Sequence, residues 1–380
     1  MTILDRYILK SFFFNLTLWF VCFIGMFVVF DFATNYESIL QIAKQDKYPI
    51  RVVGLYYLFQ SIPWMMMLSS LLSLLSAMVT VALMMRHNEI VPIQAAGITT
   101  IRIVMPLILG FFSVSCFFAV VRECVVPHYL SEMVALPADF ISEQGKVVNA
   151  TTDYEYDMLL SGQSAFMKAQ KITQPSVTIR PPIVPKTITI KATEALFQPA
   201  TAERPAGYLF AGEVVTTPAE ILNGPTVAYQ GKPIFITHQT APEWMETGQL
   251  FVVTKIPFEY IACNTSWRQN ASTWSMIQAI RNTSLDIDSH IEGLVHARIL
   301  QPILDMVLLF LGLPLMLSSG DRNVFKSLGI ASLLVVTFFI IRETCLSLGG
   351  SSEMPVLGAW LPLLIFGPVA AAQFQSLREK

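Results

Sequence analysis

Residues 64–85 read WMMMLSSLLSLLSAMVTVALMM, a run in which serine and threonine are the only polar side chains. A transmembrane helix needs about 20 predominantly apolar residues, so this run is long enough to cross a bilayer. The whole chain has 380 residues, of which 53% are hydrophobic and 14% are charged, and its mean hydropathy is +0.55. Such a composition does not fit an ordinary soluble surface. The sequence therefore predicts an α-helical transmembrane protein.

Further apolar runs of similar length lie on both sides of a long polar middle, at 11–32, 103–126, 299–317, 327–348 and 356–374. About six spans use roughly 120 residues, which leaves far more chain than connecting loops require. We therefore expect three spans on each side of an inserted soluble domain. The predicted divisions are spans one to three over 1–127, the soluble domain over 128–271, a helical connector over 272–298 and spans four to six over 299–380.

The polar middle is rich in Thr, Pro and Val, and apolar residues alternate with threonine at 177–179 and 187–190. Alternation with a period of two is typical of half-buried β-strands. Further strands are expected at 208–215, 233–237 and 249–254, separated by Gly and Pro turns. This spacing predicts an all-β sandwich or jelly roll. Such a domain can act as a stabilising lid, or as a surface that docks a partner or carries a ligand.

Basic residues near the span ends indicate the orientation, because cytosolic loops carry an excess of Lys and Arg. One side of the membrane collects Arg6, Lys10, Arg86, Arg102, Arg322, Lys326, Arg378 and Lys380. The opposite loops hold fewer basic residues, with acidic residues among them. Both termini are therefore predicted to be cytosolic, and the β domain extracytosolic.

Several function classes find no support in the sequence. A net charge of −2, a pI near 6.2 and no local basic run argue against nucleic acid as a partner. No GxxxxGK[ST], HExxH or GxSxG motif occurs, so no P-loop, zinc-protease or esterase chemistry is predicted. Most cysteines lie in apolar stretches, which excludes an intradomain disulfide framework. We predict no cofactor and no metal site.

Away from the span ends, three charged residues lie within predicted spans: Asp305 in span four, and Arg342 and Glu343 in span five. Arg122 and Glu123 lie near the end of span three, and Asp31 lies near the end of span one. A charge near the centre of a membrane helix costs about 2.5 to 3.5 kcal/mol on insertion scales, so each needs a partner. One interpretation is a static ion pair between Asp305 and Arg342. The other is a polar patch on a substrate cavity. A lipid-modifying enzyme would need more titratable groups at one depth, and a nucleophile.

The loop between spans two and three reads RHNEIVPIQAAGITT over 86–100. Asn88 is a candidate N-cap, Glu89 suits the positive end of a helix, and Gly97 is a candidate stop. These residues predict a short amphipathic helix near 88–97 on the cytosolic face. An interfacial helix resting on lipid usually carries more Lys and Arg. An acidic residue heading an apolar helix favours a protein groove instead.

Three stretches together resemble the LptF/LptG family of lipopolysaccharide export permeases from Gram-negative bacteria: LDRYI at 4–8, NEIV through QAAG at 88–97, and RILQP at 298–302. The resemblance covers nearly the whole chain, and the loop is its most specific part. The LptG-like arm fits somewhat better, while Pro92 departs from the family pattern. The resemblance implies a permease of three plus three spans in the bacterial inner membrane, with a periplasmic β-jelly-roll domain.

In that family the loop helix couples the permease to its ATPase, which implies that role for Glu89, Ile90 and Gly97, and spans one and five form a lateral gate. The implied partners are cytosolic LptB-like ATPase subunits, a second permease of the same family, and an LptC-like or LptA-like periplasmic or bitopic subunit. The implied function is that of a non-enzymatic subunit of an ABC-type exporter, which extracts lipopolysaccharide or a similar large amphiphile and passes it to a periplasmic bridge. The alternative is an envelope protein that transmits ATP hydrolysis to a periplasmic partner without moving lipid.

Overall fold

A computed structural model describes residues 2–45, 49–129, 133, 145–181, 183–184, 186–201, 204–218, 221–222, 224–229, 231–241, 243–262, 267–268, 270–287, 289–318, 324–350 and 354–378. Six of the described helices are long and apolar enough to cross a membrane, and they flank a β-rich middle region. The predicted transmembrane protein with an inserted all-β domain is thus confirmed. The side chains of Arg322, Lys326, Arg378 and Lys380, used above for orientation, lie outside the described residues.

The helices follow the apolar runs but extend beyond them. Their bounds are α1 Ile3–Thr34, α2 Tyr36–Gln45, α3 Pro49–Arg86, α4 Ile90–Ala95, α5 Thr100–Val120, α6 Phe258–Ala262, α7 Thr273–Ile280, α8 Ser289–Ser318, α9 Val324–Gly350 and α10 Pro355–Arg378, with a π-helical turn Val121–Val125 after α5. The six spans lie on α1, α3, α5 with the π-helical turn, α8, α9 and α10.

Two helices extend past the starts expected from sequence. Pro63, expected in a first helical turn, lies inside α3, which has 38 residues. An internal proline removes one backbone hydrogen bond, and membrane helices tolerate this because neighbouring groups satisfy the freed carbonyl. The predicted boundary at 298 falls inside α8, so part of the expected connector and span four form one helix.

The chain divides into two compact units. The membrane unit comprises Met1–Leu40, Val53–Tyr129 and Asp288–Lys380, and the β unit comprises Gln41–Val52 and Leu130–Ile287. In the membrane unit α8 packs against α9 and α10, and α5 packs against α1 and α8. One buried apolar cluster joins these helices, through residues such as Phe12, Met78, Phe111, Leu308 and Phe338.

Small and polar residues lie at several helix contacts in the membrane unit. A Cβ added to Gly358 of α10 would lie 2.6 Å from the Cys345 carbonyl oxygen of α9, so only glycine permits this approach of the two backbones. Between α1 and α3, Asn15 Nδ2 donates to Thr80 Oγ1 over 3.0 Å. Small residues and interhelical hydrogen bonds associate membrane helices where water is absent.

The β unit contains two antiparallel sheets, with strand orders β1-β4-β5-β8-β9-β13-β12-β11 and β10-β7-β6-β3-β2. The strands are β1 Lys146–Val147, β2 Thr151–Asp153, β3 Met158–Ser161, β4 Ser164–Phe166, β5 Lys171–Thr173, β6 Ser176–Ile179, β7 Ile188–Lys191, β8 Glu194–Gln198, β9 Gly207–Ala211, β10 Val215–Thr217, β11 Val227–Tyr229, β12 Lys232–Thr237 and β13 Leu250–Val253. The strands predicted from alternation pair as β6 and β7, with Thr178 opposite Thr189.

One predicted strand is wrong. Residues 208–215 do not form a single strand, because Gly212 adopts a φ of +83°, in the left-handed region that glycine favours. The chain breaks there into β9 and β10, which belong to different sheets.

Candidate functional site

The loop after α3 begins with a helix-ending turn at Asn88. Its φ of 57° lies in the left-handed region, which asparagine tolerates better than most residues. The Asn88 N–H donates to the Met85 carbonyl over 3.1 Å, and the Glu89 N–H donates to the Met84 carbonyl over 2.9 Å. These are the two bonds of a Schellman C-cap. Asn88 therefore ends α3, its predicted role as the N-cap of the loop helix is wrong, and Glu89 takes that position.

The loop helix α4 has six residues and is shorter than the predicted 88–97. Gly97 ends it as predicted, with a φ of +83° and its N–H donating to the Gln94 carbonyl over 2.9 Å. Pro92 lies in the first turn, where its missing N–H removes no hydrogen bond. The departure from the family pattern at this position is therefore compatible with a helix.

The Glu89 carboxylate is held by the first helix. The Tyr7 hydroxyl donates to Glu89 Oε1 over 3.0 Å and lies 3.1 Å from Oε2. The Glu89 side chain is 31% exposed. Ile90 is only 8% exposed and packs into the helix core, whereas Val91 is 67% exposed. Of the residues predicted to couple an ATPase, Glu89 is at the surface, Gly97 shapes the turn and Ile90 anchors α4. Val91, which the sequence did not single out, provides the exposed apolar side chain.

A second polar contact joins α1 to the residues after the loop. Arg102 Nη2 donates to Asp5 Oδ2 over 3.1 Å, and the Asp5 side chain is 8% exposed. Asp5 also completes a capping box with Thr2 at the start of α1. Together with the bond between Tyr7 and Glu89, this pair joins the LDRYI stretch to the loop and to the residues that follow it.

A second candidate site surrounds Asp305 inside the membrane unit, where its side chain is 5% exposed. Ser70 Oγ of α3 donates to Asp305 Oδ1 over 2.7 Å, and Ser115 Oγ of α5 donates to Oδ2 over 2.5 Å. Gln301 Nε2, one turn earlier on α8, donates to Oδ1 over 3.1 Å. Donors from three helices thus satisfy the buried carboxylate.

Gln301 links Asp305 to Arg342. Its Nε2 donates to Asp305, while its Oε1 accepts from Arg342 Nη2 over 2.8 Å. Because an ionised carboxylate only accepts hydrogen bonds and a guanidinium only donates them, these two neighbours fix the orientation of the amide. The structure therefore links Asp305 and Arg342 through the Gln301 amide. From the sequence alone, Gln301 was notable only as part of the RILQP stretch. Glu343 is 64% exposed and lies 3.8 Å from Arg342 Nε, at the edge of the cluster.

Two more arginines lie near this network. Arg122, in the π-helical turn after α5, donates from Nη2 to the Arg298 carbonyl oxygen over 3.1 Å. Arg122 Nε lies 3.7 Å from Glu123 Oε1, and the guanidinium is close enough to Asp305 and Arg342 to interact with both electrostatically. The sequence placed Arg122 at the end of span three without a role. The π-helical turn, a feature common at functional sites, is not visible in a hydropathy pattern.

A separate charged cluster surrounds Glu155 in the β unit, where its side chain is 12% exposed. Lys232 Nζ donates to Oε1 over 2.6 Å, Lys255 Nζ to Oε2 over 2.5 Å, and Thr283 Oγ1 to Oε2 over 2.9 Å. Burial raises the pKa of Glu155, but the bonds from both lysines and Thr283 outweigh burial and hold that pKa at about 2. The cluster ties the segment after α7 to the sheets.

This cluster predicts a pH-dependent stability for the β unit. A carboxyl whose folded pKa is depressed stabilises the fold above its unfolded pKa, about 4.3 for Glu, and the stabilisation is lost as pH falls towards 2. The difference in Tm between the wild type and Glu155→Gln should therefore be largest above pH 5 and disappear towards pH 2, as measured by circular dichroism of the full chain. The exposed Glu213→Gln serves as the control. A constant Tm difference over this range would contradict the assignment.

Comparison with known protein families gives a match over most of the chain, and the matched residues include both candidate sites of the membrane unit. The family model described as lipopolysaccharide export system permease LptF/LptG matches residues 6–180 and 184–375. These ranges include Tyr7, Glu89, Asp305 and Arg342. No curated protein matches the sequence.

Proposed function

Because the chain belongs to the LptF/LptG family of lipopolysaccharide export permeases, we propose that it is the membrane-spanning subunit of an ABC-type lipid exporter driven by separate ATPase subunits. In this proposal the permease extracts lipopolysaccharide, or a similarly large amphiphile, from the inner membrane and passes it to a periplasmic bridge. The observation that carries the proposal is the Glu89 carboxylate, which is held at the surface of the membrane unit by Tyr7.

Energy reaches the permease by contact in this scheme, since its sequence contains no P-loop. Glu89 provides the charge for that contact, and Val91 beside it provides an exposed apolar side chain. A guanidinium on an LptB-like ATPase would pair with the carboxylate through charge-assisted hydrogen bonds. Gly97 ends the loop helix, and the buried side chain of Ile90 packs that helix against the core of the membrane unit.

The arginines near Asp305 supply a site for the anionic part of the lipid. Guanidinium groups bind phosphate through paired hydrogen bonds, and lipopolysaccharide carries phosphate groups. Arg122 and Arg342 are only 20% and 18% exposed, which strengthens their interaction with a charged group. In this scheme Asp305 and Gln301 hold Arg342 in place, and Glu343 lies at the rim of the site.

The low burial of three spans supports a second permease of the same family as a partner. Only 17% of the most apolar stretch of α1 is buried, and 28% of those of α9 and α10. These spans therefore leave wide apolar faces for lipid or for another membrane protein. The family resemblance favours spans one and five as the lateral gate, in an LptF-like or LptG-like role, with the LptG-like role favoured by the loop and the opening stretch.

The proposed orientation places both termini in the cytosol and the β unit in the periplasm, where it would meet an LptC-like or LptA-like subunit. A cysteine at Val147, which is 78% exposed, tests it in a variant lacking the five native cysteines. A membrane-impermeant maleimide should label Val147→Cys from the periplasmic side. His87→Cys, whose side chain is 61% exposed, should label only after permeabilisation. The reverse pattern would overturn the orientation.

Lipid transfer is tested with the permease reconstituted together with its ATPase, a second permease and lipopolysaccharide in vesicles. ATP should drive crosslinking of the lipid to photoreactive groups inside the β unit, followed by release to a soluble bridge protein. ATP hydrolysis that moves the β unit without any lipid crosslink would favour the alternative, a protein that transmits ATP hydrolysis to a periplasmic partner.

A further inference from the structure

The contact between Tyr7 and Glu89 joins residues that are 82 positions apart in the chain. We infer that Tyr7 is a positioning residue for coupling, whose hydroxyl holds the Glu89 carboxylate ready for a cationic group of the ATPase and ties the loop to α1. The inference rests on the proposed function, because it presupposes that Glu89 meets an ATPase. It gives the first turns of α1 a part in coupling that acts through Glu89.

The chemistry of the contact leaves room for the partner. A phenol has one hydrogen to donate, and here it lies between the two carboxylate oxygens, at O–O distances of 3.0 and 3.1 Å. An ionised carboxylate offers about four acceptor positions, so most of them stay open to a guanidinium. The imidazole of His87 is 3.9 Å from Oε1 and is itself 61% exposed. The Tyr7 hydroxyl therefore orients Glu89 without occupying it.

The Glu89 carboxylate is positioned by Tyr7 and not by the backbone next to it. The helix-ending turn at Asn88 fixes the backbone of Glu89, and the Glu89 side chain makes no cap hydrogen bond to α4. A free Glu side chain samples several rotamers, and holding one of them costs entropy when a partner binds. A hydroxyl that holds the carboxylate in advance reduces that cost.

Two further interactions connect the loop region to α1, one apolar and one polar. Ile8 and Ile90 are buried in the same core cluster, and Asp5 pairs with Arg102 over 3.1 Å. The first turns of α1 and the loop therefore form one packed block. In α1 only 17% of the most apolar stretch is buried, compared with 56% in α3 and 61% in α8. A displacement of the loop by the ATPase would therefore move α1, whose apolar stretch is the least buried of the six spans.

The test is Tyr7→Phe, which removes the hydroxyl and keeps the ring. We expect about ten-fold weaker binding of the ATPase, as for loss of one hydrogen bond to a charged group, and less lipid released per ATP hydrolysed. Tyr36→Phe is the matched control, because Tyr36 is 49% exposed against 48% for Tyr7 and follows the other end of α1. It should change neither quantity.

A double-mutant cycle separates positioning from a structural role. In the Glu89→Ala background, Tyr7→Phe should have no further effect on ATPase affinity, since the hydroxyl acts through the carboxylate. Additive effects, or an unchanged affinity in Tyr7→Phe while Glu89→Ala is impaired, would overturn the inference and leave the proposed function standing. If Glu89→Ala itself binds the ATPase normally, the proposed coupling is wrong and the role of Tyr7 falls with it.

Discussion

Glu89→Ala is expected to weaken binding of the ATPase by at least about 30-fold and to abolish ATP-driven lipid release. Truncating one partner of a buried charged pair costs about 2 to 5 kcal/mol, and 1.4 kcal/mol corresponds to a factor of ten. The permease itself should still insert and fold, because the contacts of Glu89 with Tyr7 and His87 lie at the surface. Copurification, an affinity titration and lipid release from vesicles measure the three effects.

Two further variants make this result specific. Glu292→Ala removes an exposed glutamate from the start of α8 and should leave affinity and release unchanged. Glu89→Asp should recover only part of the affinity, because the shorter side chain withdraws the carboxylate by about 1 Å. Normal binding and release in Glu89→Ala would instead indicate that α4 rests on lipid as an interfacial helix.

Asp305→Ala is expected to destabilise the membrane unit by about 3 to 5 kcal/mol, seen as a lower Tm in detergent. The substitution leaves the hydroxyls of Ser70 and Ser115 without their acceptor and removes one of the two acceptors of the Gln301 amide, which also donates to Ser70 Oγ. It also removes the buried negative charge that Gln301 links to Arg342, and losing a counter-charge is costly in a region of low dielectric. Arg342→Ala strands the opposite charge, so the double variant should lose less stability than the sum of the single losses.

Gln301→Leu tests whether the two charges act through the amide. Because Gln301 bonds to Asp305 on one side and Arg342 on the other, the coupling between these residues should largely disappear in that background. Glu343→Ala is the control, since its side chain is 64% exposed, and its effect should stay within about 0.5 kcal/mol. Simple additivity of Asp305→Ala and Arg342→Ala in the wild-type background would show that each charge has a separate role.

Properties that depend on residues close together in the sequence could be predicted from the sequence. The six spans follow from the length of apolar runs, because the bilayer imposes that length on each helix by itself. Strands β6 and β7 follow from alternation, and the stop at Gly97 follows from a backbone conformation that glycine adopts most easily. Glu89 was identified by a local motif, and its place at the start of α4 agrees with that motif.

Properties that depend on distant residues were decided only by the tertiary structure. Tyr7 meets Glu89, and Gln301 joins Asp305 to Arg342, through the packing of helices far apart in the chain. Hydropathy and turn preferences give no information about contacts between residues that are far apart in the sequence. The assignment of Asn88 failed for a related reason: an asparagine between two helices can cap either one. The packing of α3 and α4 selects which, because a single left-handed residue must satisfy the carbonyls at the end of α3 before α4 begins.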